Sequence, residues 1–292
     1  MPGHSFYIVD VFAEEKYAGN QLAVFTEAAG LSTDEMQKLA NEMHFSETTF
    51  VMSNEEHDGG YDVRIFTPEE ELPFAGHPTL GTSYVILNML MKRPADEVTL
   101  NLKVGKISVS VDRQKGALWM RQVEPVFLRT FDKATVADIL GIAPADVDER
   151  FPVQEVSTGI PFIIVPLKGQ SAVKRARLDP RKLVEYLGEK DSAGVLVFCR
   201  ETYRPENDLN VRVFTKFASV PEDPATGSGN GCLAAYLVRH RYFGEPRISV
   251  RVEQGCEIGR PSLLFLRSEE KDGSIEVMVG GRVIPVAKCN LL

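Results

Sequence analysis

The amino-acid sequence predicts an α+β protein built from two similar halves. Three observations support this prediction. The chain has 292 residues, a length that allows two domains of ordinary size. Short runs of β-branched and aromatic residues alternate with a few segments of helical periodicity. Finally, segments of the first half recur in the same order in the second half.

The repeat is clearest in one strand-like hexapeptide. DVRIFT at residues 62–67 recurs as NVRVFT at residues 210–215, an offset of 148 residues. Four further pairs of segments follow at offsets of 140 to 151 residues: 19–25 with 159–165, 46–52 with 194–200, 75–87 with 226–238, and 98–106 with 248–255. Unrelated strands often share such patterns, so chance similarity between the segments is the alternative explanation. Five pairs in one order favour two related halves.

Local patterns predict the elements of the first half. Strands are predicted over residues 7–12, 22–25, 46–52, 61–66, 98–102, 107–111 and 118–123. Ser32 and Glu35 have the spacing of a capping box, and apolar residues at helical spacing follow them. A second helix is predicted over residues 78–91, because Pro78 is tolerated near a helix start and Arg93-Pro94 would end it.

The second half follows the same plan. Helices are predicted over residues 180–187 and 230–242, and strands over 195–199, 209–214 and the remaining C-terminal segments. Each half would then have about two helices, with the long one packed against its own curved, mainly antiparallel sheet. We predict domains at residues 1–124 and 125–281, with a strand at about 282–292 returning to the first. A ligand cleft is expected between the two domains.

Composition excludes several classes of protein. Hydrophobic residues make up 43% and charged residues 25% of the chain, as in a soluble globular protein. A net charge of −8 argues against binding to nucleic acid but allows one small anionic substrate. The longest apolar stretch, residues 84–91, is too short to span a membrane. The four cysteines are widely spaced and the N-terminus lacks signal-peptide character, so we expect no metal site and a cytoplasmic location.

Glycine-containing turns precede the long helix of each half. Gly76-His77-Pro78 and Gly227-Ser228-Gly229 occupy equivalent places in the repeat. A helix N-terminus presents unpaired N–H groups and a partial positive charge, and glycine lets a ligand approach the backbone. Two such turns could bind one small anion. The alternative is that each is an ordinary turn that starts a helix.

Several motifs together resemble the phenazine-biosynthesis PhzF family, which has the fold of diaminopimelate epimerase. The motifs are DVF at residues 10–12, GN at 19–20 with AVF at 23–25, SETTF at 46–50, GHPT at 76–79 and DPATGSGNG at 223–231. They occur in this order over nearly the whole chain. The resemblance is specific for the family and does not identify a substrate.

The resemblance implies a homodimeric isomerase that works by proton transfer without a metal or an organic cofactor. The family's general acid/base corresponds to Glu47, and His77, Asp223 and Ser228 are implied to bind the substrate and assist the proton transfer. The family's reaction moves a hydrogen within dihydro-hydroxyanthranilate. Further residues expected to line the substrate site are Asn20, Gly76, Pro78, Thr226, Gly227 and Gly229.

The surroundings of Glu47 agree with a catalytic role. Strand alternation places Glu47 on one face with Phe45, Thr49 and Val51, where partial desolvation would raise its pKa. A solvated carboxylate at a strand end is the alternative. The aligned residue of the second half is Val195, so only one half carries the acid.

The other candidate residues have structural alternatives. The positive end of the helix dipole would keep His77 neutral, but His77 could also be a packed turn residue. Asp223 could be a helix N-cap, and Asn20 a turn former. Ala75 and Thr226 stand where epimerases of this fold have cysteines, so a two-thiol epimerase is disfavoured. A binding protein without turnover remains the rival of an enzyme.

Overall fold

The computed structural model describes residues 4–188, 194–215 and 221–291. The chain divides into two compact units. The first is formed by Met1–Met120 with Gly280–Leu292, and the second by Arg121–Val279.

The first part of the chain contains eight strands and two α-helices among its described residues. They are β1 (Ser5–Val11), β2 (Asn20–Phe25), α1 (Thr33–Met43), β3 (Glu47–Val51), β4 (Tyr61–Phe66), β5 (Glu71–Leu72), α2 (Gly76–Val85), β6 (Glu97–Leu102), β7 (Gly105–Asp112) and β8 (Ala117–Arg121). The predicted capping box is confirmed at α1. The Ser32 hydroxyl accepts from the Glu35 N–H, and the Glu35 carboxylate accepts from the Ser32 N–H.

The remaining described residues form ten strands and four α-helices. They are β9 (Val126–Phe131), α3 (Lys133–Ile139), β10 (Val153–Ser157), β11 (Pro161–Pro166), α4 (Gln170–Arg175), α5 (Pro180–Leu187), β12 (Gly194–Cys199), β13 (Leu209–Thr215), β14 (Glu222–Asp223), α6 (Gly227–Arg239), β15 (Arg247–Gln254), β16 (Ser262–Lys271), β17 (Ser274–Gly281) and β18 (Val283–Asn290). Helix α5 has the predicted bounds.

The two units have the same strand order. The strands of the first unit pair in the order β18–β1–β2–β3–β4–β6–β7. Those of the second pair in the order β9–β10–β11–β12–β13–β15–β16. Parallel pairs occur at β2–β3 and β4–β6 and, equivalently, at β11–β12 and β13–β15, while the other pairs are antiparallel. The α+β class is therefore confirmed, and the last strand, β18, completes the sheet of the first unit.

Each unit has a central helix that is buried on nearly all sides. In α2 every residue except Tyr84 is buried, and in α6 every residue except Ser228 and Arg239 is buried. A helix without a polar face must be enclosed by other elements. Accordingly, α2 packs against β1, β2, β3 and β6, and α6 packs against β10, β11, β15 and β16.

Aromatic stacking forms part of the core of the first unit. The rings of Phe6, Phe25, Phe50 and Phe66 follow one another with centroid distances of 4.7, 5.0 and 5.5 Å. Met36 and Ala40 of α1 belong to the same buried cluster. The helix therefore covers the face of the sheet that is opposite to Glu47 in strand alternation.

The predicted starts of the two central helices are wrong. Helices α2 and α6 begin at Gly76 and Gly227, before the predicted starts at Pro78 and Asn230, because their extended N-cap residues stand directly before the glycines. Pro78 is the third helical residue, whose missing N–H still costs no intrahelical bond.

The ends of these helices also differ from the prediction. A π-helical segment, Ile86–Leu90, follows α2, and α6 ends at Arg239. The described residues of the second unit form four α-helices where about two were expected. The additional α3 and α4 have only 7 and 6 residues, too few to show a clear helical periodicity.

Within the described ranges, every helix is too short or too polar to cross a lipid bilayer.

Candidate active site

Glu47 and His77 lie side by side in the first unit. Glu47 is the first residue of β3, and His77 is the second residue of α2. Glu47 Oε2 lies 3.4 Å from His77 Nδ1, and the two side chains are 17% and 6% exposed. The fold thus brings together two predicted site residues that are far apart in sequence.

Gly81 allows α2 to approach the sheet closely enough for this contact. A Cβ atom at Gly81 would lie 2.5 Å from Leu22 Cδ2 and 2.8 Å from Val11 Cγ2. One turn earlier on the same helix face, His77 Nε2 lies 3.3 Å from the Gln21 carbonyl oxygen. The glycine after the GHPT motif therefore seats the histidine on the edge of β2.

The Gln21 contact determines the tautomer of His77. A carbonyl oxygen only accepts hydrogen bonds, so Nε2 carries the hydrogen and donates it. In the neutral ring, Nδ1 then presents its lone pair to Glu47. Burial lowers the pKa of His77 to about 3, and the hydrogen bond to Gln21 opposes that shift. The ring is therefore neutral at pH 7, as the sequence predicted, and burial is the main cause.

This buried neutral histidine should make the protein less stable in acid. The unfolded state, with an ordinary histidine pKa near 6.5, binds more protons than the folded state between pH 6.5 and about 3. The free energy of unfolding should therefore fall by up to about 1.4 kcal/mol per pH unit as the pH drops through this window.

Urea unfolding at pH 4, 5, 6 and 7 measures this slope. His77→Gln should reduce it, whereas the same measurement on His44→Asn, a change at an exposed helix C-cap, should retain it. An equal slope in His77→Gln and the wild type would contradict the burial of a neutral ring.

A buried pair of hydroxyls links the two elements that carry Glu47 and His77. Thr49 Oγ1 of β3 lies 2.8 Å from Thr82 Oγ1 of α2, and both side chains are fully buried. Thr49 is two residues after Glu47 and so shares its face of the strand. This hydrogen bond helps to keep the spacing between strand and helix constant.

The other candidate site residues of the first unit are Asn20, Gly76 and Pro78. Asn20 is the first residue of β2 and is 2% exposed. Gly76 and Pro78 flank His77 in the first turn of α2, and both are buried. Gln21 is not predictable from the sequence, because its contribution is a backbone carbonyl that leaves no side-chain signal.

In the second unit, Asp223 is held by the residue that precedes α6. Thr226 Oγ1 donates to Asp223 Oδ2 at 2.6 Å, and Gln254 Nε2 donates to the Asp223 carbonyl at 2.7 Å. Thr226, rather than Asp223, is the N-cap residue, and its side chain makes no capping bond to the helix. Gly227 and Gly229 are buried in the first turn, while Ser228 between them is partly exposed.

Gln254 was not anticipated from the sequence. It ends β15 and is 1% exposed, and its Oε1 accepts from the Thr226 N–H at 3.2 Å and from Asn230 Nδ2 at 2.8 Å. One amide therefore joins the N-cap, the first turn of α6 and Asp223. A glutamine at a strand end carries no pattern that would predict this role.

The two residues whose types disfavour a two-thiol epimerase, Ala75 and Thr226, are both N-cap residues. Ala75 precedes α2 and Thr226 precedes α6. Cys232 lies further along α6, where its thiol donates to the Ile160 carbonyl at 3.4 Å and burial raises its pKa to about 11. A buried thiol of this kind is not a ready thiolate base.

Comparison with known proteins determines the family. Residues 9–289 match the family model described as phenazine biosynthesis-like protein. The chain belongs to this family. An uncharacterized isomerase of Mesorhizobium japonicum is 33% identical over 98% of both chains. Trans-2,3-dihydro-3-hydroxyanthranilate isomerase of Pseudomonas aeruginosa is 34% identical over 95% of this chain and 96% of its own.

A solved structure agrees with the family assignment. The phenazine biosynthesis protein of the PhzF family from Bacillus anthracis superposes with a TM-score of 0.88 at 26% identity, covering 100% of both chains. The predicted resemblance, the α+β fold and the assignment to the isomerases are confirmed. The roles of the individual site residues remain predictions.

Proposed function

We propose that this member of the phenazine-biosynthesis-like family catalyses acid/base proton transfer on a small carboxylate metabolite, with Glu47 as the acid/base. The observation that carries the proposal is the contact between Glu47 Oε2 and Nδ1 of a buried, neutral His77. A carboxylate in a largely desolvated position is suited to take a proton from carbon and return it.

The arrangement suggests how the proton is held between its two transfers. Glu47, as carboxylate, takes a proton from one carbon of the substrate, and the electron pair of that C–H bond shifts into the adjacent π system. Protonated Glu47 can donate a hydrogen bond to the Nδ1 lone pair of His77. Because burial disfavours the charged form of the ring, His77 accepts this hydrogen bond at Nδ1 without taking the proton. Glu47 then returns the proton to a different carbon.

The second unit has candidate groups of its own for substrate binding. We assign substrate binding there to Asp223, Ser228 and the first turn of α6. Thr226, the N-cap residue, donates its hydroxyl to Asp223 and makes no side-chain cap to the helix. Because the first N–H groups of a helix lack intrahelical acceptors, they can bind a carboxylate.

The name of the Pseudomonas aeruginosa relative suggests a first candidate substrate. Trans-2,3-dihydro-3-hydroxyanthranilate carries a carboxylate and an unsaturated ring, so a proton can move between its carbons. We therefore place it first in a panel of unsaturated and amino carboxylates.

Incubation of the protein with this panel in deuterated water tests the proposal. We expect one member to be converted to an isomer that carries a single solvent deuterium on carbon, detected by mass spectrometry and NMR. Absence of exchange and of isomerisation across the panel would contradict the proposed function. Equal binding of a ligand to wild type and Glu47→Gln without turnover by either would support the rival, a binding protein.

A further inference from the structure

An arginine–glutamate pair occurs at the same place in both units. Arg64 Nε and Nη2 donate to the two carboxylate oxygens of Glu71 at 2.8 Å each. Arg212 Nε and Nη2 donate to those of Glu222 at 2.8 and 2.7 Å. The arginines belong to the repeated DVRIFT and NVRVFT segments, so the duplicated fold has kept a two-pronged ion pair in each half.

Each pair fixes the short strand that leads to a central helix. Glu71 lies on β5 and pairs with Phe66 of β4, and Glu222 lies on β14 and pairs with Phe214 of β13. The two halves differ in the residue that follows the glutamate. Leu72 follows Glu71, whereas Asp223, a candidate substrate-binding residue, follows Glu222.

Arg212 is more deeply buried than its counterpart. Its side chain is 2% exposed, against 26% for Arg64. Its Nη1 donates to the carbonyls of Val173 and Ala176 at 2.9 Å each and to that of Lys174 at 3.2 Å. With all three of its nitrogens hydrogen-bonded, the guanidinium group is a rigid anchor inside the second unit.

We propose that the Arg212–Glu222 pair is a positioning device for Asp223. The pair holds the residue immediately before Asp223, and Thr226 Oγ1 holds the Asp223 carboxylate from the other side at 2.6 Å. Contacts of the residues before and after Asp223 in the sequence thereby restrict its position. The inference rests on the proposed function in assigning Asp223 to the substrate, and it makes Arg212 and Glu222 positioning residues.

Two substitutions at Glu222 test this inference. Glu222→Gln removes the charge at nearly unchanged size, and Glu222→Asp keeps the charge but shortens the side chain. The matched control is Asp148→Asn, which breaks another two-pronged pair of the second unit. There, Arg150 donates to Asp148 at 2.9 and 2.7 Å, and the Asp148 side chain is 4% exposed. Tm, kcat and KM are measured for each variant with the panel compound that the wild type converts.

We expect both Glu222 variants to raise KM about tenfold or more, a loss of about 1.4 kcal/mol in substrate binding, with a smaller change in kcat. The control should lower Tm and leave KM unchanged. Glu222→Asp serves if Glu222→Gln does not fold. Unchanged KM in the Glu222 variants, with only a lower Tm, would overturn the inference.

Amide hydrogen exchange of residues 221–229 provides a readout that needs no substrate. We expect exchange in this segment to be about tenfold faster in the Glu222 variants than in Asp148→Asn, as loss of a local anchor lowers the free energy of opening. Equal exchange in all variants would overturn the inference even without turnover. If the wild type converts nothing, only the proposed function fails, so the two failures can be told apart.

Discussion

Replacement of Glu47 by glutamine should lower the rate of deuterium incorporation into the substrate by about 10²–10⁴-fold. The amide keeps the size of the side chain and its place beside His77 but can neither take nor return the proton. Substrate binding should change much less, because the substitution removes a group that acts on the reacting proton. The measurement is single-turnover exchange in deuterated water, with the ligand affinity of each variant determined by titration calorimetry.

Glu97→Gln is the matched control for this change. Glu97 is also a glutamate at the first position of a strand of the first unit, and it is exposed. Its replacement should leave the exchange rate within about twofold of the wild type, in line with the small effects of most surface substitutions. An exchange rate in Glu47→Gln equal to that of Glu97→Gln would exclude Glu47 as the acid/base and return attention to the binding-protein alternative.

Replacement of Phe50 by alanine should lower the free energy of unfolding by about 3–5 kcal/mol. Phe50 is 0% exposed, stacks on Phe25 at 5.0 Å and meets Phe66 edge-on at 5.5 Å. Its removal leaves a cavity within the aromatic stack and takes away ring contacts that add about 0.5–1.5 kcal/mol each. The measurement is urea-induced unfolding followed by circular dichroism.

Two comparisons make the Phe50 result specific. Leu128→Ala removes an apolar side chain that is 42% exposed, and we expect a loss within about 0.5 kcal/mol. Because Phe50 points to the face opposite Glu47, the folded fraction of Phe50→Ala should retain deuterium exchange activity. A loss for Phe50→Ala as small as for Leu128→Ala would show that the aromatic stack does not stabilise the first unit.

Local elements were predicted best where the decisive contacts join near neighbours in the chain. The capping box of α1 depends on residues 32 and 35, and α5 begins at Pro180 with Asp179 accepting from the N–H groups of Arg181 and Lys182. Such signals are contained within a few consecutive residues. The starts of α2 and α6 were placed too late because glycine is a weak helix former, and only the enclosure of these helices by the sheets overrides that preference.

The candidate site likewise combines residues that motifs predict with contacts that only the tertiary structure creates. Motifs singled out Glu47 and His77, but no pattern in the letters could show that the two side chains touch, because α2 must first pack on β1 and β2 at Gly81. The repeated hexapeptides include Arg64 and Arg212, but they do not show which residues these arginines bind. Gln254 acquires its role only where β15 ends beside the first turn of α6.

The amino-acid sequence was thus sufficient to predict the duplicated α+β fold, the family and the residue types available for proton transfer. These follow from strand and helix periodicity, from an internal offset and from motifs that need no coordinates. The tertiary structure alone decided which tautomer His77 adopts, why its pKa is low, and which buried ion pair precedes Asp223. Each of these depends on desolvation and on hydrogen bonds between distant segments, and such energies exist only once the sheets enclose their helices.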